Sequence, residues 1–178
     1  RGSLTMTRRA GRHFLNIPGP TNVPERVLRA IDQAVIDHRG PDFAKLTLGV
    51  LDAAKKVFKT KGPVVIFPSS GTGAWEAALV NTLSPGDTVL MYEVGHFATL
   101  WVELAKKLGL KVELIASDWR GGVDADKIEE RLRADKARAI KAVGVVHNET
   151  STGVTSNVAQ VRQAIDRAQH PALLLVDT

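Results

Sequence analysis

The stretch Pro68-Ser69-Ser70-Gly71-Thr72-Gly73-Ala74 follows the apolar run Val64-Val65-Ile66-Phe67 and opens into Trp75-Glu76-Ala77-Ala78-Leu79-Val80. A strand, a turn of small residues and a helix start gather free backbone N–H groups and hydroxyls around one point. Proteins hold a phosphate this way without using a charged side chain. The first expectation is therefore a phosphorylated ligand contacted by Ser70, Gly71 and Thr72. Two nucleotide motifs fail on inspection: a dinucleotide fingerprint needs glycine where Glu76 stands, and the Gly-Lys-Ser/Thr of a Walker loop occurs nowhere in the chain. The competing reading is that Ser69 or Ser70 caps a helix and the glycines only make room.

Other chemistry-bearing residues are spread along the chain. Asp177 closes the apolar run 172–176, where a carboxylate is either a helix cap for the next element or a functional group in a low-dielectric setting. Paired with Thr178 it could also ligate a metal, but His13, His38, His96, His147 and His170 lack ligand spacing, so no metal site is expected. His147-Asn148-Glu149-Thr150-Ser151-Thr152-Gly153-Val154 is either an ordinary polar turn or a pocket lining rich in donors. Phe97 is either core filler or a stacking platform. One ligand accommodates all of these positions. Pyridoxal phosphate needs a turn for its phosphate, an aromatic over its ring, a hydroxyl near the ring oxygen and a carboxylate at the ring nitrogen. Ser70-Gly71-Thr72, Phe97, Thr150 and Asp177 offer these in order.

The elements that must position them read as an alternating series. Helices are expected over 24–37 and 41–58. Strands are expected at 64–67, 88–91, 112–115, 139–146 and 172–176, and helices at 72–83, 97–108, 124–134 and 157–168. Short apolar strands separated by amphipathic helices specify an α/β fold, a mainly parallel sheet flanked by helices on both faces with right-handed crossovers. Ligands in such sheets gather at the carboxyl ends of the strands, where Ser70–Thr72, Phe97, Asn148, Thr150 and Asp177 fall.

The 178 residues are 44% hydrophobic and 24% charged, ordinary for a globular domain. No cysteine is present, which excludes disulfides and thiolate chemistry and fits a cytoplasmic setting. No apolar run reaches the roughly 20 residues of a membrane helix. The net charge of +5 comes from scattered lysines and arginines without interleaved aromatics, so neither nucleic acid nor membrane is expected as a partner. Residues 1–5 read as an expression scar ahead of a start at Met6, and residues 6–22 as an extended N-terminal segment.

The sequence resembles the serine–glyoxylate and alanine–glyoxylate aminotransferases of the class V, fold-type I pyridoxal-phosphate enzymes. The resemblance rests on Pro18-Gly19-Pro20-Thr21-Asn22-Val23-Pro24, Ser69-Ser70-Gly71-Thr72-Gly73, Gly95-His96-Phe97, His147-Asn148-Glu149-Thr150-Ser151-Thr152-Gly153-Val154 and Leu174-Leu175-Val176-Asp177-Thr178. It implies that Ser70, Gly71 and Thr72 bind the phosphate of pyridoxal 5'-phosphate, that Thr150 meets the phenolic oxygen, and that Asp177 pairs with the pyridine nitrogen. Phe97 stands where alanine–glyoxylate relatives carry tryptophan, which points toward the serine–glyoxylate branch. Gly19 approaches the substrate, and Asn148 occupies a substrate-side position that is glycine in some relatives. The resemblance further implies a homodimer acting on an amino acid and glyoxylate. It makes residues 23–178 an incomplete large domain, with the Schiff-base lysine and the small domain beyond residue 178 and this stretch inactive alone.

Overall fold

The computed structural model describes Gly11, residues 14–17 and residues 19–178. The chain divides into two compact units, Arg1–Ile66 and Phe67–Thr178. In the first, α1 spans Glu25–Ile31 and α2 spans Pro41–Val57, the latter with proline in its first turn and Lys55 and Lys56 in its last. Neither helix contains a buried residue. The expected helix over 24–37 stops at Ile31. Asp32 leaves the helical region, and the Gln33 N–H turns back to the Ile31 carbonyl at 2.8 Å. A two-turn helix that buries none of its apolar face has little to extend it.

The second unit carries the sheet. Its elements are α3 Gly71–Thr82, β1 Thr88–Tyr92, α4 His96–Lys107, β2 Lys111–Ile115, α5 Ala125–Ala134, β3 Ile140–Val146, β4 Asn148–Glu149, β5 Val154–Thr155, α6 Val158–Arg167 and β6 Leu173–Asp177. Four strands form a parallel sheet in the order β2-β1-β3-β6, and β4 and β5 make a small antiparallel hairpin. The α/β class and the parallel sheet flanked by helices are as expected. Two strands are not. Residues 64–67 form no ladder, because among the described residues no strand lies beside them to take their N–H and C=O groups. The run 172–176, read as a buried strand, forms β6 with Leu173 and Val176 exposed, and among the described residues it pairs with β3 alone.

The core lies where β1 and β3 meet α4. Val89, Leu90, Met91, Ala142, Val143 and Val145 are fully buried with Trp101, Val102 and Ala105 of α4. Gly144 permits the close approach, since a Cβ there would strike the Met91 sulfur and lie 3.7 Å from the Trp101 ring. Helices α5 and α6 pack together. Each is capped by its own side chain: Asp124 accepts from the Asp126 and Lys127 N–H groups, and Asn157 from that of Gln160.

Candidate functional site at the carboxyl edge of the sheet

Helices α3 and α4 are capped differently from α5 and α6. At α3 the N-cap residue Ser70 is extended, its side chain makes no capping hydrogen bond, and the first turn carries no acidic residue. The Ser70 and Thr72 hydroxyls bond no other described residue, and both are exposed. A Cβ on Gly71 would enter open space, whereas one on Gly73 would overlap the Ser69 side chain. The reading in which Ser70 merely caps the helix is thus removed. What remains is a positive helix end of two uncommitted hydroxyls and the free N–H groups of Gly71 and Thr72, suited to an anion.

The N-cap residue of α4 is Gly95, which has no side chain to cap the helix, and the cap comes from the hairpin instead. Glu149, 1% exposed, accepts from the Ala98 N–H at 3.1 Å and the Phe97 N–H at 3.3 Å. It also accepts from the Ser151 hydroxyl at 2.7 Å and the Ser151 N–H at 3.1 Å. Ser151 Oγ in turn accepts from the His96 N–H at 2.9 Å. Burial opposes ionisation of Glu149, but the Ser151 hydroxyl and the N–H groups of Ala98, Ser151 and Phe97 outweigh it and hold the carboxyl below the usual glutamate range. Gly95 is required by space: a Cβ there would sit 2.6 Å from the Glu149 carboxyl carbon and 2.7 Å from Ser151 Oγ.

Phe97, in the first turn of α4, is half-buried against the core. The Trp75 ring on α3 meets it edge-on, with centroids 6.4 Å apart, and stacks on Trp101 at 5.9 Å. Trp75 stands one turn beyond Thr72, so the anion-suited turn and Phe97 are held through one buried indole.

Asp177 closes β6 opposite Val146, and its carbonyl accepts from the His147 N–H at 2.7 Å. His147 Nδ1 lies 2.9 Å from Thr178 Oγ1. The half-buried Asp177 carboxylate bonds no other described residue. One residue past His147, the Asn148 amide oxygen accepts from the Thr155 hydroxyl at 3.1 Å, across the hairpin. Thr150 is exposed between the two latched residues Glu149 and Ser151, and its hydroxyl has no described partner.

Ser70–Thr72, Phe97, Thr150 and Asp177 lie in one unit, and no hydrogen bond joins these residues directly. Gly19 is exposed in the other unit. Among the described residues no group of three histidine or acidic side chains could hold a metal, and no helix is long and apolar enough to cross a membrane. Sequence reasoning missed Glu149. The available signal was Gly95 at a helix start where a capping side chain was due, which obliges another segment to supply the acceptor.

The aminotransferase class-V family matches over residues 13–178. The serine–glyoxylate aminotransferase of Methylorubrum extorquens is 54% identical over 175 residues, an alignment covering 98% of this chain and 44% of that protein. The L-aspartate–glyoxylate aminotransferase of Paracoccus denitrificans is 50% identical over 162 residues, covering 90% of this chain and 41% of its own. Among solved structures, the alanine–glyoxylate aminotransferase of Nostoc sp. is similar with a TM-score of 0.84 and 29% identity, covering 99% of this chain and 45% of that one. The chain spans less than half the length of the curated relatives it matches.

Proposed function

Because the chain belongs to the aminotransferase class-V family, we propose that it forms the cofactor-holding wall of a pyridoxal 5'-phosphate enzyme. The reaction is transamination of glyoxylate, with serine as the amino donor and hydroxypyruvate and glycine as products. The observation that carries this reading is the α3 N-terminus, left without a side-chain cap or an acidic first turn while α5 and α6 are self-capped. The donor set fits the cofactor: uncommitted hydroxyls and N–H groups suit its phosphate, and the uncommitted Asp177 carboxylate suits a protonated ring nitrogen.

When bound, the cofactor supplies a ring that accepts the electrons left on the substrate carbon as its proton departs. The chain's own residues prepare that chemistry. Ser70, Gly71 and Thr72 hold the phosphate and fix the register of the ring. Phe97 covers one ring face and excludes water from it. The Thr150 hydroxyl donates to the ring oxygen, and Asp177 keeps a proton on the ring nitrogen. Gly19 and Asn148 belong to the substrate side. A lysine outside this stretch would carry the covalent attachment. The same reading carries a cytoplasmic homodimer with it.

Serine is favoured as donor by the 54% identity to a serine–glyoxylate aminotransferase and by phenylalanine rather than tryptophan at position 97. The test is a donor panel of serine, alanine, aspartate and ureidoglycine against glyoxylate, on a polypeptide continuing through the length of its curated relatives. The reading expects the highest kcat/KM with serine. A higher value for another donor overturns the assignment of serine. Cofactor binding without turnover of any donor overturns the enzyme in favour of a non-catalytic phosphate-binding module.

A further inference from the structure

We propose that Glu149 and Ser151 are positioning residues that set two cofactor-facing groups at once, the ring of Phe97 and the hydroxyl of Thr150. This inference rests on the proposed cofactor. Neither residue needs to touch the cofactor. Glu149 fixes the first turn of α4 through the N–H groups of Phe97 and Ala98, and Ser151 fixes it one residue earlier through the N–H of His96. The two residues are joined to each other by the Ser151 hydroxyl and N–H.

Thr150 is the residue between them, so the backbone that carries its hydroxyl is clamped on both sides by the groups that clamp Phe97. One carboxylate with four donors thereby fixes the relative placement of an aromatic ring and a hydroxyl 53 positions apart in sequence. The charge matters as well as the shape. All four donors aim at the two carboxylate oxygens, and an amide in their place would turn an NH2 toward an N–H donor. Gly95 leaves the space the latch occupies.

The test uses the full-length enzyme with pyridoxal 5'-phosphate, comparing wild type with Glu149→Gln, Ser151→Ala and Ser151→Thr. The readouts are the visible circular-dichroism band of the bound cofactor, which reports ring orientation, the cofactor Kd, and kcat and KM for glyoxylate. Glu149→Gln and Ser151→Ala are expected to bind cofactor within about tenfold of wild type. Their dichroic band should fall at least about twofold and kcat about tenfold, with KM changed less than about threefold. Ser151→Thr, which keeps the hydroxyl, should restore band and kcat. If Glu149→Gln fails to fold, Ser151→Ala with its threonine rescue decides the matter. A native band and a kcat within about twofold of wild type in a folded variant of lower thermal midpoint would overturn the proposal, leaving a purely structural latch. A wild-type protein that binds no cofactor would overturn the cofactor reading and this inference with it.

Discussion

The Trp75 ring meets Phe97 edge-on, at 6.4 Å between centroids and 69° between planes. Trp75 is buried and also stacks on Trp101. The start of α3 and the start of α4 therefore share one aromatic cluster.

Trp75→Ala removes this link and should cost about 3–5 kcal/mol, the range for deleting a large aromatic from a packed core. Trp75→Phe keeps part of the edge contact and should cost less. Urea unfolding of the full-length protein measures both, and equal losses would show that the ring contact is not what stabilises the cluster.

The turn glycines separate stability from binding. Gly71→Ala adds a Cβ into open space at the first position of α3, so stability should be unchanged or slightly higher. Pyridoxal 5'-phosphate affinity should nonetheless drop, because the new methyl occupies the face the phosphate uses. Gly73→Ala meets Ser69 and should cost on the order of 1–3 kcal/mol by overpacking. Thermal midpoints beside cofactor titrations check the contrast.

Much of this arrangement is legible in the sequence, for a physical reason. The strands β1, β2 and β3 and the helices α3 to α6 are local patterns of apolar spacing bounded by Gly, Pro and Asp, and they fall within a residue or so of their expected limits. What periodicity misses is pairing. Residues 64–67 have the composition of a strand, but a strand exists only beside a neighbour, and none is found for them among the described residues. Glu149 was hidden for the same reason: its meaning lies in the N–H groups of Phe97 and Ala98, 52 and 51 residues earlier.

Acid should loosen the second unit through two buried carboxylates. Burial opposes ionisation of Asp135, but the N–H groups of Ile140 and Ala139 and the His170 ring outweigh it, so its carboxyl, like that of Glu149, lies below its ordinary value. A depressed folded-state pKa gives stability that is complete above the unfolded value, about pH 4, and lost as pH falls through the folded one. Unfolding midpoints between pH 7 and pH 3 should drop below about pH 4 in wild type. Glu149→Gln, weaker at neutral pH, should show a shallower fall.

Asp177→Asn keeps the size of the side chain and removes its charge. Cofactor retention should change little, since the phosphate is held at α3. Turnover should fall by about 100-fold or more, the usual cost of losing a preorganised electrostatic partner at a reacting group. Parallel measurement of bound cofactor and kcat checks this, and loss of both together would place Asp177 among the binding groups instead.

The proposed cofactor site requires that the α3 turn and the carboxylate ending β6 serve one ligand. A crystal structure of the full-length protein with pyridoxal 5'-phosphate tests it most directly. The phosphate is expected within hydrogen-bond distance of the Ser70–Thr72 turn, and the ring nitrogen within hydrogen-bond distance of the Asp177 carboxylate. A phosphate bound elsewhere, or an Asp177 carboxylate turned away from the ring, would contradict it.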